Sequence, residues 1–174
     1  MPPGGPLGVP DPASGGCFVG TVQRMITVQR LVPTTLDAKS TFAFLSAFEN
    51  TPTWDPGTPI VEKLTPGPVA VGSKFHAVAE FRGKRQPIDY VVTELSADRI
   101  QLRGENKTVI SVDTIAVRPT ATGSEVDYHA EFTLKGLLKV ATPFVGPMFE
   151  KLGDPAADGM RKQLDSLTSQ ATAD

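Results

Sequence analysis

The stretch SKFHAVAEFRGKRQPIDYVVTEL, residues 73–95, decides the fold class. In its first half, small or aromatic residues alternate with His76, Val78, Glu80 and Arg82. This period of two predicts a half-buried strand. The residues on the predicted inner side are Phe75, Ala77, Ala79 and Phe81. Gly83 and Lys84 then predict a hairpin connection, and residues 87–95 predict the returning strand.

The same pattern repeats outward from this hairpin, at a spacing of about ten residues that is typical of an antiparallel meander. The predicted strands are 22–32, 60–64, 73–82, 87–95, 99–103, 108–117 and 125–134. Pro33 is predicted to end the first strand, and Thr34, Thr35 and Asp37 offer N-cap oxygens for a short helix over 38–45. After Gly136 the period changes, and steps of four and three predict a long C-terminal helix with an apolar stripe. The members of that stripe are Leu152, Ala156, Met160, Leu164 and Leu167. The order of elements therefore predicts an α+β domain.

Composition excludes several classes of function. The 174 residues include 17 basic and 19 acidic side chains, a formal net charge of −2. This balance disfavours nucleic-acid binding, which needs a basic footprint. The single cysteine, Cys17, excludes an internal disulfide, and with only His76 and His129 available no metal site is expected. Neither a membrane-spanning run nor a secretory signal is recognisable, so we expect no stable membrane insertion and, by default, a cytoplasmic location.

Domain boundaries follow from the two ends of the chain. Residues 1–18 are rich in Pro and Gly and are predicted to be a disordered leader. Residues 19–168 are predicted to form a single domain, and residues 169–174 a frayed tail.

The chain resembles the polyketide cyclase/dehydrase branch of the START-like (SRPBCC) superfamily over most of this predicted domain. The segments that carry the resemblance are FAFL (42–45), ENTPTWDP (49–56), VGSKF (71–75), YVVTE (90–94), SVDTI (111–115), GSEVDY (123–128) and GDPAA (153–157). The resemblance implies a helix-grip fold, in which a seven-stranded antiparallel sheet wraps around a long C-terminal helix. It also implies an internal cavity for a hydrophobic molecule such as a lipid, sterol, quinone or polyketide.

Three functions are compatible with this resemblance. The first is binding of a hydrophobic small molecule, which small residues such as Ala77 and Ala79 favour because they leave room inside the sheet. The second is a cyclase or dehydratase acting on a polyketide-like substrate, which needs acid–base groups in the cavity. The third is an interaction module whose interior is filled by side chains. No cofactor is expected for any of them.

Three residues are candidates for acid–base chemistry. Asp113 shares the parity of Ser111 and Ile115, and burial in an apolar cavity would raise its pKa. The alternative is a structural carboxylate held by hydrogen bonds. Tyr90 and Tyr128 are both predicted to point inward, where a hydroxyl would orient a carbonyl; the alternative is a core tyrosine satisfied at the rim.

Residues from several elements are predicted to contact the ligand. They are Trp54, Phe75, Ala77, Ala79, Phe81, Val92, Phe132, Phe144, Met148 and Met160. Two positions are compatible with Trp54: it could cover the cavity as a lid that contacts the ligand, or it could fill the core. Because Ile110 and Val112 compete with Asp113 for the inner side, the orientation of that strand is also open. Both histidines fall on the outer, polar parity, which counts against a histidine base.

Overall fold

The computed structural model describes residues 25–81, 83–141 and 147–171, without the side chains of residues 81, 139–141 and 171. The predicted leader 1–18, the start of the first predicted strand, Phe144 and the last three residues lie outside this part, as does the side chain of Phe81. None of the described helices combines the length and hydropathy needed to cross a membrane.

Seven antiparallel strands form one sheet, which confirms the predicted number. In chain order they are β1 (Met25–Thr34), β2 (Ile60–Lys63), β3 (Lys74–Phe81), β4 (Lys84–Leu95), β5 (Arg99–Glu105), β6 (Val109–Thr120) and β7 (Gly123–Leu134). In the sheet the order is β1-β7-β6-β5-β4-β3-β2, so β1 and β2 are the edges. Each strand from β2 to β7 pairs with its neighbour in sequence, as a meander does.

Two α-helices are described over their full length, α1 (Ala38–Ser46) and α2 (Gly153–Ala171), and residues 147–150 are also helical. Of the three candidate caps of α1, Asp37 is the one that serves, since its side chain accepts a hydrogen bond from the Ser40 amide at 3.0 Å. Short 3₁₀ helices cover Phe48–Thr53 and Gly136–Ala141. The stripe of α2 is buried at Ala156, Met160 and Leu164. These elements confirm the α+β helix-grip arrangement.

The position of α2 is set at its start and its middle. At the start, the Arg30 guanidinium donates to Asp154 Oδ1 at 2.8 Å and to the Glu150 carbonyl at 2.9 Å. In the middle, a Cβ on Gly159 would collide with the Trp54 carbonyl oxygen. The absence of a side chain at Gly159 therefore lets the helix approach the backbone that follows the first 3₁₀ helix.

Prolines produced the main error in strand boundaries. Pro33 does not end β1, which continues to Thr34 with Pro33 opposite Glu125. The prediction was wrong because β1 is an edge strand, where the missing N–H of a proline breaks no ladder. Likewise β4 begins at Lys84, before Pro87, because it pairs with β3 from Lys84 onward. Its pairing with β5 begins only at Asp89, so Pro87 has no strand partner on that side.

Side-chain orientation follows the predicted alternation in most strands. In β6 the ambiguity is resolved: Asp113 and Ser111 are buried and face inward, whereas Ile110 and Val112 are half-buried on the other side. In β4 the register against β5 shifts between Val92 and Glu94. This bulge reverses the alternation, because Leu95, not Glu94, packs against the core after Val92.

Candidate functional site

A cavity of about 400 Å³ lies between the concave face of the sheet and the segment that leads into α2. Most of its wall is apolar, and the apolar side chains that contribute include Val28, Ile88, Ala130, Phe132, Leu134, Phe149 and Ala156. The cavity reaches solvent at the end of the sheet that carries the β3–β4 hairpin and the β5–β6 turn, because exposed Lys84, Thr108 and Leu138 line it there.

A polar cluster of Tyr90, Ser111 and Asp113 lines the sheet side of this cavity. The Ser111 hydroxyl donates to Asp113 Oδ2 at 2.8 Å. The Tyr90 hydroxyl is hydrogen-bonded to the same carboxyl group. Asp113 is thus held by two neutral donors, one from its own strand and one from β4.

Gly104 explains how a residue of β4 reaches a residue of β6. The intervening strand β5 places Gly104 opposite both Tyr90 and Ser111. A Cβ on Gly104 would lie 2.5 Å from Cε1 and 2.7 Å from Cζ of Tyr90. The tyrosine ring therefore lies across β5, and its hydroxyl arrives beside Asp113.

Burial changes the acidity of all three predicted catalytic residues. Removal from water raises the pKa of Asp113 from 3.8 to about 6, although the hydrogen bonds from Ser111 and Tyr90 oppose this rise. The pKa values of Tyr90 and Tyr128 lie well above their usual value, first because of burial and then because of the nearby Asp113 charge. Near neutral pH, Asp113 can therefore exchange a proton, while both tyrosines stay protonated and can donate hydrogen bonds.

The structure adds Asp55, which the sequence analysis did not select. Asp55 follows the first 3₁₀ helix and lines the cavity. Its carboxylate accepts from the Gly57 amide at 2.8 Å and from the Thr58 hydroxyl at 2.7 Å, whereas burial raises its pKa. Its charge also raises the pKa of Asp113. The local signal was a carboxylate directly after Trp54, but Asp55 followed by Pro56 also suits an ordinary turn.

Tyr128 and Trp54 meet beside the cavity. Their rings pack edge to face with centroids 6.0 Å apart. Tyr128 lines the cavity, and its pKa is raised by burial and by the charges of Asp113 and Asp55, without a contribution from a hydrogen bond. Trp54 is buried in the core, and its indole N–H has no hydrogen-bond partner in the described part of the chain. Of the two positions considered for Trp54, this one corresponds to a residue that fills the core.

The other predicted contact residues divide into two groups. Ala79 and Phe132 line the cavity, and Phe132 packs on Phe149 with ring centroids 5.0 Å apart. The remaining described members do not line it: they are Phe75, Ala77, Val92, Met148 and Met160. All of these except the half-buried Met148 are packed in the interior. Alternation alone selects the inner face, but it does not separate the part of that face covered by α1 and α2 from the part that faces the cavity.

Both histidines lie outside this site. His76 Nδ1 is 2.7 Å from Asp89 Oδ1, and His129 Nε2 is 3.8 Å from Glu131 Oε1. Within the described residues no three His, Cys, Asp or Glu side chains come together as metal ligands.

Solved structures of similar fold include two aromatase/cyclases. The Zhui aromatase/cyclase from Streptomyces sp. R1128 has a TM-score of 0.69 at 12% identity, with 82% of this chain and 94% of that chain covered. The di-domain aromatase/cyclase StfQ of the steffimycin biosynthetic pathway has a TM-score of 0.66 at 11% identity. The match covers 83% of this chain but 52% of StfQ, so this chain spans about half the length of that protein. These likenesses concern the fold.

A START superfamily protein from Mycobacterium smegmatis is also similar, with a TM-score of 0.59 at 18% identity over 84% of this chain and 98% of that one. No curated protein matches the sequence. The profile of one family, described as polyketide cyclase/dehydrase and lipid transport, matches residues 25–172. That match covers most of the sequence and every strand of the sheet, so the chain belongs to the polyketide cyclase/dehydrase and lipid transport family.

Proposed function

We propose that the protein binds a hydrophobic small molecule, such as a lipid, a quinone or a polyketide-like compound, in the cavity between the sheet and the C-terminal helix. The observation that carries this proposal is a cavity of about 400 Å³ whose wall is mostly apolar and contains a polar cluster around Asp113. Ligand sites typically have volumes of about 300–1,000 Å³, apolar walls and a few placed polar groups. The family's description as cyclase/dehydrase and lipid transport supports the same class of ligand.

Small side chains provide the space. Ala79 on β3 and Ala130 on β7 both line the cavity. Burying the apolar part of a ligand there would contribute about 25 cal/mol for each Å² removed from water. The apolar wall supplies affinity, and the polar cluster supplies orientation.

Native mass spectrometry of the protein purified from its own host, followed by extraction and identification of retained molecules, tests the proposal. A hydrophobic molecule bound at a ratio of one to one is the expected result. The Ala79→Phe variant, which fills the cavity, should lose this molecule. The matched variant Ala116→Phe adds the same ring on the opposite side of the sheet and should keep it. Retention of the molecule by Ala79→Phe would contradict the proposed site.

A second candidate function is a cyclase or dehydratase reaction, and the position of Asp113 favours it. An aspartate with a pKa of about 6 can accept a proton from carbon beside a carbonyl and return it to a leaving hydroxide, which departs as water. The Tyr128 hydroxyl lines the same cavity and would donate a hydrogen bond to the enolate oxygen. A molecule extracted in an altered form after incubation with the wild type, but unaltered after incubation with Asp113→Asn, would support catalysis.

A cytoplasmic location and the absence of nucleic-acid binding stay predictions from the sequence.

A further inference from the structure

The inner part of the cavity is acidic. Asp55 and Asp113 both line it and come from different elements, one from the loop after the first 3₁₀ helix and the other from β6. Their charges act on each other and on Tyr90 and Tyr128, which places all four polar groups in one region.

No cation balances this region among the described residues that line the cavity. Lys84 is the single basic side chain in that lining, and it is exposed at the mouth beside the β3–β4 hairpin. Arg30, the nearest guanidinium on β1, is engaged by Asp154 and the Glu150 carbonyl. The two carboxyl groups are therefore held by neutral donors only.

Both carboxyl groups keep acceptor capacity for a ligand. Asp113 receives hydrogen bonds from Ser111 and Tyr90, and Asp55 receives them from Gly57 and Thr58. A carboxylate has about four lone-pair sites, so two donors do not saturate it. A ligand group that donates a hydrogen bond complements these oxygens, whereas a second carboxylate is repelled by them.

Resting on the proposed function, we infer that the cavity takes ligands whose inner polar group donates a hydrogen bond and carries no negative charge, a hydroxyl or an ammonium group, and that it rejects carboxylates such as fatty acids. The apolar wall accepts the chain of any of these molecules equally. The carboxyl groups of Asp55 and Asp113 at the inner end distinguish these molecules by their polar groups.

Decan-1-ol, decylamine and decanoate share one chain and differ in the polar group, so they test this inference directly. Their dissociation constants are measured at pH 7.5 by displacement of Nile red, an uncharged dye, from the full chain. We expect the dissociation constant of decanoate to be at least about tenfold higher than that of decan-1-ol. A tenfold change corresponds in free energy to a shift of one pKa unit. Decylamine should bind at least as tightly as the alcohol.

Variants identify the cause. In Asp113→Asn and Asp55→Asn, which keep the shape of the side chain, the difference between decanoate and decan-1-ol should shrink. Glu62→Gln on β2 removes an exposed carboxylate outside the cavity lining and should leave the difference unchanged. Equal binding of decanoate and decan-1-ol by the wild type would overturn the inference, as would an undiminished difference in both Asn variants. Either result would leave the cavity binder intact, whereas failure of Nile red and all three compounds to bind would overturn both.

Discussion

The ring of Tyr90 occupies the space that a side chain at Gly104 would need, with Tyr90 Cε1 2.5 Å from the position of a Gly104 Cβ. Through this relationship a tyrosine of β4 crosses β5 and reaches Asp113 on β6. The polar cluster of the cavity therefore depends on a residue that contributes no side chain.

The Gly104→Ala variant should displace Tyr90 and lower the free energy of unfolding by about 1–3 kcal/mol, the usual cost of an overpacked core. Urea denaturation measures this change. In a Tyr90→Ala background the same substitution should cost much less, because the obstructing ring is gone. Equal costs in the two backgrounds would show that the ring does not lie over Gly104.

Asp113 should make stability depend on pH. Its pKa rises from 3.8 to about 6 on folding, so between these values the folded state holds a proton that the unfolded state has lost. The contribution of Asp113 to the free energy of unfolding is therefore highest below pH 4. It falls by about 3 kcal/mol up to about pH 6, since each unit of pKa shift corresponds to about 1.36 kcal/mol.

The Asp113→Asn variant removes that dependence. Its stability relative to the wild type should rise between pH 4 and pH 6 and then level off, as measured by urea denaturation across this range. Glu62→Gln, which changes an exposed residue, serves as the control. A difference that is flat with pH would contradict the burial of Asp113.

The two cavity tyrosines should respond differently to loss of the hydroxyl. Tyr90→Phe removes a hydrogen bond to a carboxyl group and should cost about 1–3 kcal/mol of stability. Tyr128→Phe removes a hydroxyl whose pKa shift includes no contribution from a hydrogen bond, and it should change stability by less than about 0.5 kcal/mol. Chemical denaturation of the pair compares them, and equal losses would disagree with this assignment of partners.

Two glycines of α2 should differ in their tolerance of alanine. Alanine favours a helix over glycine by about 1 kcal/mol, yet a Cβ at Gly159 would collide with the Trp54 backbone carbonyl. Gly159→Ala should therefore lower the melting temperature strongly. A Cβ at Gly153 would meet side chains rather than backbone, with Val28 Cγ1 2.5 Å and Arg30 Cζ 3.3 Å away, so Gly153→Ala should be milder. The reverse order in thermal denaturation would contradict the close approach of α2 to Trp54.

Local patterns determined much of the architecture. Period-two alternation, β-branched composition and regular spacing predicted the seven strands, because these signals depend on the geometry of a single element. Steps of four likewise predicted the stripe of α2, which is buried at Ala156, Met160 and Leu164, whereas Leu152 precedes the helix and is exposed. Alternation in β6 also placed Ser111 and Asp113 on one face, although Ile110 and Val112 left open which face of this strand turns inward. These features need no knowledge of which elements become neighbours.

Other features depended on neighbours that are distant in the chain. Pro33 is tolerated because β1 is an edge, and Tyr90 reaches Asp113 because Gly104 lies between their strands. Asp55 joins the cavity because the loop after the first 3₁₀ helix folds over the sheet. The sequence by itself determined the elements and the faces of most strands, whereas strand order and loop placement decided which polar groups share the cavity, since burial and electrostatic coupling arise only between groups that tertiary packing brings together.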